Sequence, residues 1–199
     1  MSDSADGPID LIAHSFGGQI AAALATEHGE LIRSITLLGC PPSPLTAFIN
    51  FARRLLDNPS EHPGLKAALT AVEEHCDMSR FIALIQACYP DGTLPDSYFG
   101  TNSNEIKVRY SDIATHMPPL DIATFMAVMQ AFLNPRSLPV TNSYTGAVTL
   151  LMGLNDPLLR VHEDSERWLK IFPHAKLRTY QAGHFLQYEL PPETWYDGH

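Results

Sequence analysis

The chain alternates between short, continuous apolar runs and longer stretches in which apolar residues recur at helical spacing. Four apolar runs predict buried strands, at 9–13, 34–40, 147–153 and 175–181. Small residues over 18–28 predict a helix directly after the first run, and 161–171 predicts another after the third. A strand, a helix and a second strand in this order predict a parallel pair with a right-handed crossover.

Between the second and third strands lies a block in which helices and turns replace strands. Helical spacing of apolar residues predicts four helices, at 44–56, 63–76, 79–89 and 120–133. Turn-forming residues dominate 90–107, which predicts an irregular loop. The pattern therefore predicts a core built from 1–43 and 140–199, with a helical cap inserted at 44–139.

Composition narrows the possible functions. The chain has 199 residues, of which 45% are hydrophobic, and its net charge of −9 argues against nucleic-acid binding. No run is apolar enough for a membrane span, and the polar, acidic N-terminus does not resemble a signal peptide. Because Cys40, Cys76 and Cys88 form no close pair, we expect reduced thiols in a cytoplasmic protein.

The first predicted strand ends at a serine that lies between small residues. Ser15 is expected on a tight turn from strand to helix, and Ala13 and Gly17 leave room for that turn. Such a turn exposes the hydroxyl and points the first helical N–H groups at the place where negative charge develops during acyl transfer. Ser15 is therefore a candidate nucleophile.

A serine nucleophile needs a base within hydrogen-bonding reach and a carboxylate that orients this base. Asp156 follows the strand that ends at Gly153, and His184 follows the strand that ends near Gln181. The carboxyl ends of parallel strands lie along one edge of a sheet. We therefore expect Ser15, Asp156 and His184 to meet at that edge.

The remaining titratable residues predict no metal site. Glu163 and Asp164 fit best at the start of the predicted helix, where the helix dipole favours negative charge. Five other histidines are scattered without the spacing of metal ligands: His62, His75, His116, His162 and His174. Neither a metal nor an organic cofactor is predicted.

The sequence resembles the α/β-hydrolases. Three motifs carry the resemblance, namely AHSFGG at 13–18 for the nucleophile turn, GLNDP at 153–157 for the acid loop and AGHF at 182–185 for the histidine loop. The resemblance implies that Ser15 is the nucleophile, His184 the general base and acid, and Asp156 the orienting carboxylate. It also implies that the backbone N–H of Phe16 supplies half of the oxyanion hole.

The resemblance further implies the fold. It corresponds to the C-terminal half of an α/β-hydrolase parallel sheet, about four strands, with a helical cap insertion. The family has several strands before the nucleophile turn, including a loop that supplies the second oxyanion N–H, whereas this chain reaches Ser15 near its start. We therefore expect the strand at 9–13 to have an open edge, at which a second copy of the chain could pair.

Two sets of residues near the predicted site have alternative interpretations. His14 adjoins Ser15 and either contacts the substrate or, as we favour, is a packed structural residue. Phe125 and Met129 lie on one face of the helix predicted at 120–133, together with Met126 and Phe132. This face either lines an apolar substrate pocket or packs the cap, and packing is favoured.

The sequence thus predicts a serine hydrolase that cleaves a carboxylic ester, or a related acyl bond, of a small and partly apolar molecule through an acyl-enzyme on Ser15. Two alternatives stay open. The same triad could transfer the acyl group to an alcohol or amine instead of water. The chain could also be a truncated, catalytically impaired remnant that acts as a partner-bound or dimeric module.

Overall fold

A computed structural model describes residues 7–57, 62–116, 118, 121–133 and 142–196. Within this part of the chain, one parallel sheet contains the four strands in sequence order, β1 (Ile9–His14), β2 (Ile32–Leu38), β3 (Ala147–Gly153) and β4 (Lys176–Tyr180). The four predicted strands and the α/β fold class are therefore confirmed, with small shifts at the strand ends.

In the described residues, one α-helix follows β1, five lie between β2 and β3, one lies between β3 and β4, and two follow β4. They are α1 (Gly17–His28), α2 (Pro44–Leu55), α3 (Leu65–Glu74), α4 (Met78–Cys88), α5 (Ser103–His116), α6 (Ile122–Leu133), α7 (Val161–Ile171), α8 (Leu186–Glu189) and α9 (Pro192–Trp195). We refer to α2 through α6 as the cap helices. Among the helices that the structure describes, none combines the length and the apolar character needed to cross a bilayer.

Helices α1 and α7 cover one face of the sheet and form its main hydrophobic core. The small residues of α1 let this helix lie close to the strands, and Trp168 and Phe172 fill the space under α7 without any exposed surface. The indole N–H of Trp168 also donates to the backbone carbonyl of Cys40, at 2.7 Å. This contact fixes α7 to the chain just beyond the end of β2.

The cap helices enclose a second hydrophobic cluster. Fully buried side chains on three of them, among them Phe51, Leu65 and Leu84, form its centre. Leu158 and Phe185 join the same cluster from the loops that follow β3 and β4. The cap helices therefore pack against the two loops that carry Asp156 and His184.

The prediction of an irregular loop over 90–107 is confirmed for 90–95 but is wrong for 96–107, and helix α5 was not predicted. A 3₁₀ segment covers Asp96–Asn102, and α5 begins at Ser103. Turn-forming residues are frequent here, but Tyr98, Phe99 and Ile106 are 3%, 2% and 3% exposed and anchor the segment to the cap. Burial of these side chains stabilises helical structure even though the turn-forming residues of this region have low helix propensity.

The other face of the sheet is only partly covered. Its C-terminal half packs Leu38 and Leu151 against Leu186 of α8. The N-terminal half faces a shallow cavity of about 140 Å³ whose lining includes Asp10, Thr36 and Lys176. Strand β1 forms an edge of the sheet within the described residues, as expected.

Candidate active site

Ser15 lies between the end of β1 and the start of α1 in a strained backbone conformation. Its φ angle is +53°, and among the described residues it is the only one other than glycine with positive φ. Its N–H donates to the carbonyl of Leu38 at 3.0 Å, and its carbonyl accepts from the N–H of Gly18 at 3.1 Å. Strain of this kind persists only where neighbouring contacts hold it, and it is typical of a nucleophile turn.

Small residues around the turn have separate packing roles. A Cβ atom on Gly18 would lie 2.6 Å from the Cβ atom of Cys40, so only glycine lets α1 approach the end of β2. A Cβ atom on Gly17 would lie 3.6 Å from Ala13, which is an ordinary contact. The second glycine of the motif is therefore required by packing more strictly than the first.

His184 bridges the serine and the aspartate. Its Nε2 atom lies 2.9 Å from the Ser15 Oγ atom, and its Nδ1 atom lies 2.8 Å from the Asp156 Oδ2 atom. An ionised carboxylate only accepts hydrogen bonds, so Nδ1 carries the proton and Nε2 accepts from the Ser15 hydroxyl. The structure thus brings together the three side chains that the sequence predicted to meet.

The Asp156 carboxylate is held from several sides. The carboxylate side chain is 0% exposed, and its Oδ1 atom accepts the N–H of Leu158 at 2.9 Å. Gly39, at the end of β2, adopts a φ of +54°, and a Cβ atom there would lie 3.3 Å from Oδ2 of Asp156 and 3.1 Å from the carbonyl of His184. Glycine at this position therefore leaves space for the acid and for the histidine loop.

Helix α2 and the 3₁₀ segment form hydrogen bonds with backbone groups of the two loops that carry Asp156 and His184. Arg54 of α2 donates to the carbonyl of Asp156 at 3.1 Å and to the carbonyl of Leu159 at 2.9 Å. The N–H of His184 donates to the carbonyl of Tyr98 at 2.9 Å. Both loops that supply triad side chains are therefore held from the cap side.

His14 packs directly against the ring of His184. The ring centroids lie 4.8 Å apart, and the His14 Nε2–H donates to the carbonyl of His184 at 2.9 Å. Burial and, to a smaller extent, the neighbouring His184 together lower the pKa of His14 from 6.5 to about 4. His14 is therefore neutral near pH 7 and links the serine strand to the histidine loop.

Comparison with known proteins identifies the family. A model of the alpha/beta hydrolase family matches residues 2–197. The chain belongs to this family. A search of curated proteins found no match.

Solved structures show the same fold as this α/β-hydrolase at low sequence identity. An alpha/beta hydrolase fold protein from Chitinophaga pinensis superimposes with a TM-score of 0.56 at 16% identity, over 96% of this chain and 63% of that one. A thermophilic esterase from Thermogutta terrifontis gives a TM-score of 0.55 at 21% identity, over 94% and 62% of the two chains. An epoxide hydrolase from Bacillus megaterium gives 0.50 at 15% identity, over 96% and 67%.

The chain spans less than two thirds of the first two of these structures, 63% and 62% of their lengths. At such identities the likeness establishes the fold. The family match confirms the predicted resemblance to the α/β-hydrolases. The shared fold agrees with the predicted partial α/β-hydrolase sheet.

The residues predicted for a substrate pocket are only partly described. Met129 is 5% exposed on α6, which packs against α2 and α4. The side chain of Phe125 lies outside the described part of the chain. A pocket role for His14, Phe125 and Met129 stays a prediction.

Three residues of this α/β-hydrolase were missed by sequence reasoning. Arg54, Tyr98 and Glu189 contact the backbone of the triad loops rather than the triad side chains. Backbone contacts of this kind leave no motif, because any suitably placed donor or acceptor can make them. Within the described residues, no group of three metal-ligating side chains is close enough to hold an ion.

Proposed function

We propose that this α/β-hydrolase is a serine esterase that forms an acyl-enzyme on Ser15. The observation that carries the proposal is the continuous hydrogen-bonded chain from Ser15 through His184 to Asp156, with distances of 2.9 and 2.8 Å. The strained φ of Ser15 and the burial of Asp156 support the same assignment. Epoxide opening by an aspartate nucleophile is less well supported, because a serine occupies the turn.

In the proposed mechanism, Ser15 Oγ attacks the carbonyl carbon of the ester while His184 Nε2 takes the hydroxyl proton. Asp156 stabilises the resulting imidazolium through Nδ1–H. The tetrahedral intermediate collapses when the alcohol leaves with the proton from His184. A water molecule, deprotonated by His184, then attacks the acyl-enzyme and releases the acid.

The proposed oxyanion donor within the chain is the N–H of Phe16. Phe16 directly precedes α1, so its N–H lies at the positive end of the helix dipole. Loss of one oxyanion donor in a hydrolase costs about 10²–10³-fold in kcat. Loss of the Phe16 N–H from the site would therefore be expected to lower kcat by about this factor.

The substrate class proposed is a small carboxylic ester with an apolar part. Two aromatic side chains pack around His184, namely Tyr98 of the 3₁₀ segment at 5.3 Å and Phe185 of the histidine loop at 5.4 Å between ring centroids. Apolar surroundings favour apolar acyl or alcohol groups.

We also propose that residues 44–139 act as a cap domain over a core formed by 1–43 and 140–199.

The test is hydrolysis of p-nitrophenyl acetate and butyrate by the wild-type chain and by Ser15→Ala. The proposal predicts that Ser15→Ala lowers kcat by about 10⁴-fold or more, because the nucleophile is removed. Ser79→Ala is the matched control, since Ser79 is an exposed serine on α4. Equal rates for Ser15→Ala and the wild-type chain would contradict the esterase proposal.

The open edge of β1 supports a second proposal, in which the chain acts as a dimeric or partner-bound module. Ile9 and Ile12 on this strand are 50% and 42% exposed, and an exposed apolar edge strand favours pairing with another chain. Size-exclusion chromatography together with the esterase assay separates the two proposals. An inactive dimer supports the module, whereas an active monomer contradicts it.

Transfer of the acyl group to an alcohol is a further outcome of the same assay. Added methanol competes with water for the acyl-enzyme, so the ratio of methyl ester to free acid measures the partition. Hydrolysis predicts mostly free acid.

A cytoplasmic location is also proposed, because Cys40, Cys76 and Cys88 are free thiols, and fractionation of cells tests it.

A further inference from the structure

Two successive N–H groups at the start of the histidine loop are bound by groups outside the loop. The N–H of Gly183 donates to the Oε1 atom of Glu189 at 2.6 Å. The N–H of His184 donates to the carbonyl of Tyr98 at 2.9 Å. The backbone that carries the triad histidine is therefore fixed by one carboxylate and one carbonyl.

Two glycines make space for this arrangement. Gly100 interrupts the 3₁₀ segment with a φ of +59°, and a Cβ atom at this position would overlap the Glu189 carboxylate. A Cβ atom on Gly183 would lie 2.5 Å from the Gly100 nitrogen and 2.6 Å from the Tyr98 carbonyl oxygen. The Glu189 carboxylate thus occupies a space that exists only because residues 100 and 183 are glycines.

The Glu189 carboxylate lies in an environment that disfavours its charge. Burial raises the pKa of Glu189, the N–H of Gly183 opposes this shift, and the negative charge of Asp156 adds to it. A partly buried carboxylate costs free energy unless hydrogen bonds compensate. The bond to Gly183 is a charge-assisted bond of the kind that is short and strong.

We propose that Glu189 is a positioning residue for His184, because its carboxylate fixes the Gly183 N–H and so holds the imidazole between Ser15 and Asp156. Glu189 acts through the backbone and does not touch the reacting atoms. The inference rests on the proposed hydrolase function of the triad.

Misplacement of a triad group by about 1 Å can cost about 10²-fold in rate. We therefore expect Glu189→Ala to lower kcat for p-nitrophenyl acetate by about 10- to 100-fold, with KM changed by less than about twofold. Glu189→Gln keeps an oxygen that accepts from Gly183, so its kcat is expected within about threefold of the wild-type value.

Glu193→Ala is the matched control for these variants. Glu193 is an exposed carboxylate on the neighbouring helix α9, so its removal is expected to leave kcat unchanged. Wild-type kcat in Glu189→Ala would overturn the proposal, and so would a loss confined to KM. An equal loss in Glu189→Gln and Glu189→Ala would also overturn it, because the amide still supplies an acceptor.

A second measurement does not depend on activity. Amide hydrogen exchange reports the Gly183 and His184 N–H groups, and NMR reports the His184 Nδ1–H proton. We expect faster exchange at both amides and a displaced Nδ1–H resonance in Glu189→Ala, with no change in Glu193→Ala. An unchanged resonance and unchanged exchange would overturn the positioning role, even if the wild-type chain has no esterase activity and the hydrolase proposal itself fails.

Discussion

The hydrophobic cluster on the sheet and the cluster within the cap helices hold different parts of the triad. The sheet cluster packs α1 and α7 on the strands and includes Ala13, two residues before Ser15. The cap cluster includes Leu158, two residues after Asp156, and Phe185, which directly follows His184. Ser15, the proposed nucleophile, is thus positioned mainly by the sheet, whereas the loops that carry Asp156 and His184 are held jointly by the sheet and the cap helices.

This difference indicates that α2 and the 3₁₀ segment support the loops that carry Asp156 and His184. Arg54 and Tyr98 bind backbone groups of the triad loops, and neither contact involves a reacting atom. The triad therefore has two sets of supports, which can be weakened separately. Four predictions test the comparison, beginning with the triad itself.

The largest effect is expected at Asp156. Asp156→Asn keeps an acceptor for the Leu158 N–H but loses the carboxylate that selects the Nδ1–H tautomer of His184. We expect kcat for p-nitrophenyl acetate to fall by about 10⁴-fold. Asp164→Asn, which changes a buried carboxylate on α7, should keep kcat, and retention of kcat in Asp156→Asn would contradict the assignment.

A matched pair of core leucines separates the two clusters. Leu150 lies in the sheet cluster and Leu84 in the cap cluster, and both are 0% exposed. Each Leu→Ala change is expected to lower the free energy of unfolding by about 2–5 kcal/mol, because it leaves a cavity. Urea unfolding followed by circular dichroism should give one transition in both variants, since the triad loops join the clusters. A separate early transition in Leu84→Ala would mean that the cap helices unfold independently.

A smaller effect is expected from neighbouring arginines on α2. Arg54→Ala removes two bonds to the acid loop and should lower the free energy of unfolding by about 1–3 kcal/mol and kcat by about tenfold. Arg53→Ala breaks only an exposed ion pair with Glu73, which is worth about 0–1 kcal/mol. Equal activity in the two variants would show that the cap does not support the acid loop.

The smallest effect on activity is expected at His14, where the prediction concerns the pH dependence of stability. Its pKa is lowered from 6.5 to about 4 by burial, so the unfolded chain binds more protons than the folded chain between these values. The free energy of unfolding should therefore fall as pH drops from 6.5 to 4, by at most about 1.4 kcal/mol per pH unit from this group. His14→Gln keeps a donor and should have a shallower slope in the same range. Identical slopes would contradict the pKa of His14.

Much of this molecule could be predicted from sequence, because its strongest signals are local. Continuous apolar runs predicted the four strands, and the positions of Ser15, Asp156 and His184 after three of these strands predicted that their side chains meet. The 3₁₀ segment and the whole of α5 (Ser103–His116) were missed. Side chains of this region, such as Tyr98 and Ile106, are held by buried contacts that no local pattern indicates. Glu189 was missed for a similar reason, because its partner is a backbone N–H that becomes accessible only when Gly100 and Gly183 meet.

The most direct test of the central claim is reaction of the chain with a fluorophosphonate probe, followed by mass spectrometry of the labelled peptide. The triad predicts a single adduct on Ser15, with labelling lost in Ser15→Ala and strongly slowed in Asp156→Asn. Absence of an adduct on Ser15 in the folded wild-type chain would contradict the claim that Ser15 is an activated nucleophile. The claim would also be contradicted if Ser15→Ala were labelled at another residue to the same extent as the wild-type chain.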